Sequence, residues 1–217
     1  MIKDDHYNEG FSENSGVKIF YRDYGPKDGD PILMVHGLGA QLVHWPIHLI
    51  NFLQANNFRP ITYDNRDVGL SSRFLNTPSF VIDYVKYFLR LPIKSEYTID
   101  DMARDGINLL DTLNIKKTHI FSTSMGGMIA QIISAQYPER VKSFTLIAST
   151  ASTPSPTNAP KKAVRDIMME RSKNPNASHE EILEREIRMV SLIGMDGPVS
   201  YTHLRAHETR GNLVCRL

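Results

Sequence analysis

Ser122-Thr123-Ser124-Met125-Gly126-Gly127 is the stretch that decides how this 217-residue chain is read. It follows a short β-type run, Thr118 to Phe121, and opens a segment from Gly126 to Tyr137 in which Met128, Ile129, Ile132 and Ile133 recur at helical spacing until Pro138 stops it. A serine at such a strand-to-helix corner needs strained backbone at its own position. It also needs small residues two places either side, because strand and helix approach closely there. Ser122 and Gly126 meet that need. The corner puts the Ser124 hydroxyl near the positive end of the helix, where the Met125 backbone N–H can face a developing oxyanion.

Outward from the corner, β-type runs alternate with longer amphipathic stretches: Val17 to Tyr24, Pro31 to Val35, Arg59 to Tyr63, Thr118 to Phe121 and Val141 to Ala148. That rhythm predicts βαβ units and a mostly parallel sheet. Ile32 to Val35 is apolar without alternation, as are Phe144, Leu146, Ile147 and Ala148, so both strands are expected to be buried on both faces. Thr98 with Asp101 reads as a capping box. Met102, Ile107, Leu109, Leu110 and Leu113 follow it at helical spacing, and the helix is expected to end before Asn114.

Three more motifs sit in order around the corner. His36-Gly37-Leu38-Gly39 follows the buried run Ile32 to Val35. Tyr63-Asp64-Asn65-Arg66-Asp67-Val68-Gly69-Leu70-Ser71 follows the next run, and Tyr137-Pro138-Glu139-Arg140-Val141 links the helix to the last. With the serine corner they resemble the α/β-hydrolase superfamily over roughly the first two-thirds of the chain, Ser122 replacing the first glycine of its G-x-S-x-G elbow. The departure is mild, and allows a slightly relaxed elbow or an extra hydrogen bond. The resemblance implies a three-layer α/β-hydrolase fold, incomplete here, with Ser124 as nucleophile and the Leu38 and Met125 N–H groups as oxyanion donors. Gly37, His44 and Trp45 are candidates to line the substrate pocket. His36 is read as a structural histidine hydrogen-bonded to hold its loop, and Asp64 and Asp67 as braces around the site. His119, inside a buried strand, and His179, at a helix start, are poor candidates for the base.

The superfamily orders its triad as serine, then acid, then histidine. Ala148-Ser149-Thr150-Ala151-Ser152 offers no carboxylate where some members carry the acid. Acid and base are therefore expected to be absent from this chain. Ser149 to Pro160, with three prolines, reads as a linker. Lys161 to Arg171 and Ser178 to Leu192 read as two helices that could begin a lid, the second capped by Ser178 with Glu181. Met168, Met169, Met189 and Met195 could line that lid or fill it. Val199-Ser200-Tyr201-Thr202-His203-Leu204-Arg205-Ala206-His207-Glu208-Thr209 matches the translation of a transposase-type sequencing-library adapter. Residues from about Val199 are read as non-native, and His203, His207 and Glu208 receive no role. The expected organisation is 1–150 for the N-terminal part of the core, 151–198 for a partial lid and 199–217 for the tail. The chain as written is expected to be nearly inactive, to fold poorly and to leave an open sheet edge.

Composition narrows the partners. A net charge of +1 with interspersed signs offers no nucleic-acid or membrane patch. Met1 to Phe11 has no apolar run, so neither signal peptide nor membrane anchor is expected and a cytoplasmic address follows. The sole cysteine, Cys215, gives no disulfide or zinc spacing, and no cofactor is expected. The leading expectation is a serine hydrolase of small carboxylic esters, resembling methylesterase and enol-lactonase relatives. The alternatives are a cofactor-free haloperoxidase or perhydrolase of the same fold and a non-catalytic small-ligand-binding protein.

Overall fold

A computed structural model describes residues 7–74, 96–151 and 162–173, together with residues 178, 180, 181, 184, 185, 188 and 192. The chain divides into two compact units, Met1–Ala151 and Ser152–Leu217.

The first unit is built on a six-stranded sheet in the order β1-β2-β4-β3-β5-β6. The strands are β1 (Asn8–Asn14), β2 (Val17–Asp23), β3 (Asp30–Val35), β4 (Phe58–Tyr63), β5 (Thr118–Thr123) and β6 (Val141–Ile147). β3 pairs in parallel with β4 and β5, and β5 with β6, whereas β1–β2 and β2–β4 are antiparallel. Among the described residues, three α-helices accompany the sheet: α1 (Ile47–Ala55), α2 (Ile99–Thr112) and α3 (Met125–Gln136).

The uninterrupted apolar run of β3 makes the structure three layers deep. Successive side chains of a strand point to opposite faces. Leu33 and Val35 pack with Leu109 and Leu110 of α2 and Ile129 and Ile133 of α3. Ile32 and Met34 pack with Trp45 and with Ile50 and Leu53 of α1. The capping box forms at the head of α2: Thr98 Oγ1 accepts the Asp101 N–H at 3.2 Å, and Asp101 Oδ2 accepts the Thr98 N–H at 2.8 Å.

β6 corrects the sequence reading. Its apolar residues were expected to be buried on both faces, yet Phe144 is 45% exposed, Leu146 38% and Ile147 44%. Apolarity prepares a strand for burial but cannot supply neighbours. Among the described residues β6 ends the sheet and pairs only with β5. β1 is the opposite case, a strand absent from the reading because its residues are polar and mostly exposed. Its turn was the available signal: Ser15 and Gly16 both have positive φ and close a two-residue hairpin onto β2. α1 was also missed; it follows Pro46, and its buried face is Ile50 and Leu53.

In the second unit, α4 runs from Lys162 to Lys173, with a Lys162–Asp166 ion pair at 2.6 Å. The Ser178 cap forms, the Ser178 N–H donating to Glu181 Oε2 at 2.6 Å and the Glu181 N–H to Ser178 Oγ at 3.3 Å. Met168 and Met169 fall on α4. Met189, Met195, His179, His203, His207 and Glu208 lie outside the described residues. No helix among the described residues is long and apolar enough to cross a membrane.

Candidate active site

Ser124 stands alone between β5 and α3, with φ 52° and ψ −122°. L-residues avoid that region, and holding one there costs on the order of 1–3 kcal/mol. The surrounding contacts impose it. The Ser124 N–H donates to Ile147 O of β6 at 2.9 Å, and its carbonyl accepts the Gly127 N–H at 2.9 Å to begin α3. Gly126 lets α3 come down onto β3: a Cβ there would lie 2.2 Å from Val35 O and 2.7 Å from His36 O. Ser122 is fully buried, and its hydroxyl donates to Thr145 O at 2.8 Å. Serine at that place thus adds a cross-strand bond from β5 to β6, and the neighbouring backbone remains strained rather than relaxed. The Ser124 side chain is exposed at the corner, and no described side chain is hydrogen-bonded to it.

The His36-Gly37-Leu38-Gly39 segment leaves the C-terminal end of β3 beside this corner. Gly37 packs directly on the serine, where an added Cβ would be 3.0 Å from Ser124 Cβ and 3.4 Å from its Oγ. The Leu38 side chain is 68% exposed. Two neighbours on the loop after β4 reach this segment. Asn65 Nδ2 donates to His36 O at 3.2 Å, and Asp64 Oδ1 accepts the Leu42 N–H at 2.7 Å. Burial pushes the Asp64 carboxyl up, against the pull of the Leu42 and Leu70 amides that donate to it.

His36 is held differently from expectation. Its ring stacks on Trp45, centroids 3.9 Å apart, and the buried Nε2 has no hydrogen-bond partner. Burial first, and His44 second, push its pKa down to about 3, so the imidazole is neutral and far too weak a base for chemistry near neutral pH. Of the pocket candidates, Gly37 borders Ser124, while Trp45 is 6% exposed and packs between β3 and Phe121. His44 is exposed and its Nδ1 accepts the Gln41 N–H at 3.1 Å.

Asp67, expected as a brace, accepts the Phe74 N–H at 2.7 Å and the Tyr97 hydroxyl at 2.6 Å. The neighbouring Arg66 makes a two-pronged bond to Asp105 of α2, at 2.6 and 2.9 Å, and lies over the rings of Phe74 and Tyr97. The Asp105 carboxylate keeps this guanidinium charged. Asp105 and Tyr97 escaped the sequence reading because no local pattern links residues this far apart.

Another serine–histidine–aspartate set occurs elsewhere on the sheet. His119 Nδ1 lies 2.7 Å from Ser143 Oγ, its Nε2 lies 3.2 Å from Asp30 Oδ2, and Lys142 also pairs with Asp30. His119, read as buried, has a side chain 26% exposed. It is the second residue of the strand that Ser124 follows, five residues and about 16 Å away along an extended backbone. It cannot serve Ser124.

A family model described as alpha/beta hydrolase fold matches residues 30–177, more than half of the chain, and the protein belongs to that family. Among curated proteins the chain is similar to rhodomycin D methylesterase DnrP of Streptomyces peucetius, 25% identical over 85% of this chain and 61% of that protein. It is similar to a putative carbamate hydrolase RutD of Variovorax paradoxus, 30% identical over 60% of this chain and 42% of that protein. It is also similar to a non-heme chloroperoxidase of Streptomyces lividans, 25% identical over 79% of this chain and 50% of that protein. Among solved structures, a carboxylesterase of the ammonia-oxidizing thaumarchaeon Nitrososphaera gargenis shares the fold at TM-score 0.65 and 20% identity, covering 93% of this chain and 65% of that one. The chain thus spans between two-fifths and two-thirds of the length of these proteins.

Proposed function

We propose that the protein is a serine hydrolase of small-molecule carboxylic esters, working through an acyl-enzyme on Ser124. The observation that carries this reading is the backbone of Ser124, φ 52° and ψ −122°, at the head of α3 with Gly37 against its side chain. A serine kept in strained backbone at a helix N-terminus is a nucleophile's arrangement, since strain persists only where surrounding structure enforces it. Similarity to a methylesterase supports ester chemistry.

In the proposed reaction, Ser124 Oγ attacks the acyl carbonyl carbon and its proton passes to a histidine. The Leu38 and Met125 N–H groups donate hydrogen bonds to the carbonyl oxygen as negative charge develops on it. The ester bond then breaks, the alcohol leaves with that proton, and water releases the acid from Ser124. Removing one oxyanion donor typically costs about a hundred- to a thousandfold in rate. The histidine and its acid partner are assigned to residues outside the described ones, since no described histidine reaches Ser124.

The test is covalent. A fluorophosphonate should label Ser124 in the full-length protein, and a panel of p-nitrophenyl esters should show turnover that disappears with Ser124→Ala. Labelling that survives Ser124→Ala would end the reading, and absence of labelling would favour a binding protein. Similarity to a chloroperoxidase motivates a second reading, in which hydrogen peroxide replaces water as acyl acceptor. Peracid formation from acetate and peroxide exceeding ester hydrolysis would favour it.

A further inference from the structure

The segment from His36 to Leu42 is fastened at both ends by adjacent residues of one loop. Asn65 Nδ2 takes the His36 carbonyl at its start, and Asp64 Oδ1 takes the Leu42 amide at its end. Both side chains are almost wholly buried, Asp64 1% and Asn65 2% exposed. One bond within the loop, from Ala40 N–H to Gly37 O, is long at 3.3 Å. The fastening residues are themselves fixed. The Asp64 carbonyl accepts Ser71 Oγ at 2.6 Å, its N–H donates to Phe20 O of β2 at 2.9 Å, and Arg66 is tied to α2.

We propose that Asp64 and Asn65 form a clamp that sets the oxyanion loop against Ser124, with Asn65 the positioning residue for the Leu38 amide; this rests on Ser124 being the nucleophile. The peptide plane is the lever. The His36 carbonyl and the Gly37 N–H belong to one rigid unit, so holding that oxygen fixes the direction in which the chain enters Gly37 and Leu38. Asp64 holds the exit. Neither side chain touches the reacting atoms; each acts through backbone that does.

The experiment measures phosphonylation of Ser124 by a fluorophosphonate in the full-length protein, with saturation separating kinact from KI. Asn65→Ala should lower kinact about a hundredfold, the effect of an ångström's misplacement, with KI within about twofold of wild type. Thr118→Ala is the control: it removes a bond to Pro31 O at the opposite end of β5 and should leave kinact unchanged. Equal kinact in Asn65→Ala and wild type, or equal losses in both variants, would overturn the clamp. Should Asn65→Ala fail to fold, Asn65→Asp keeps the shape but sets an acceptor against the His36 carbonyl. Its kinact relative to wild type should be low at neutral pH and recover as the introduced carboxyl protonates and donates; a flat ratio would overturn the clamp. If wild type is not labelled at all, the nucleophile reading fails by itself. Hydrogen exchange across 36–42 then judges the clamp, supported by faster exchange in Asn65→Ala and overturned by no change.

Discussion

Ser124 and Ser143 lie towards opposite ends of one sheet, and each has what the other lacks. Ser143 has an imidazole at 2.7 Å, with an aspartate on the ring's far side. It sits within the exposed strand β6, which ends the sheet among the described residues, with no strained corner and no helix N-terminus at its hydroxyl. Ser124 has no described side-chain partner, but it has the corner, the helix and Gly37 packed against it. The contrast teaches that a triad of residue types is a weak indication of chemistry, whereas enforced backbone is a strong one. Side-chain hydrogen bonds between exposed groups form readily; a non-glycine residue at φ 52° and ψ −122°, outside the left-handed helical region, requires the fold to hold it there.

The largest test of that contrast is the pair of serine deletions. Ser124→Ala should reduce ester turnover of the full-length protein by about a millionfold, the typical cost of losing a triad nucleophile, while Ser143→Ala should leave turnover intact. Comparable losses would erase the distinction. Next comes the corner itself. Gly126→Ala gains about 1 kcal/mol of helix propensity, but its methyl would meet Val35 O at 2.2 Å, and the Val35 backbone is central to the sheet. A net loss of about 2–3 kcal/mol in urea unfolding is expected, in the range of core overpacking. Stabilisation would mean that α3 does not press on β3.

Ser122→Ala should cost about 1 kcal/mol by the same measurement, since it deletes the bond to Thr145 O inside the fold. Ser143→Ala, on an exposed strand, should fall within about 0.5 kcal/mol of wild type. An effect similar in size to that of Ser122→Ala concerns pH. His36 is depressed to about 3 in the folded protein, against about 6.5 when unfolded. Between those values the unfolded chain binds the extra proton, so stability falls as pH falls. Going from pH 6.5 to 5.5 should cost about 1 kcal/mol through this group. His36→Phe, which can keep the stack on Trp45, should remove that increment from the pH dependence of unfolding.

Much of the sheet was legible because a buried parallel strand must be apolar throughout, as Ile32 to Val35 is. The serine corner was legible for a related reason: small residues are required where helix and strand meet, and Ser122 and Gly126 show it directly. Legibility failed where the deciding quantity is a neighbour. β1 carries no apolar alternation, and its pairing depends on β2. β6 carries apolar residues, and their exposure depends on what lies beside it. Asp105 and Tyr97 meet the Arg66–Asp67 loop across about 30 to 40 residues of sequence, a distance that local spacing cannot bridge.

The sequence by itself determined the runs that become β2 to β6, the helices α2 and α3 and the serine at the corner between β5 and α3, because local backbone geometry and burial restrict which residue types fit. Tertiary structure alone decided that Asn65 holds the His36 carbonyl, that Ser122 ties β5 to β6, and that His119 turns toward Ser143 and Asp30. Those are encounters between side chains and remote backbone. They exist only once parallel strands have set distant segments side by side.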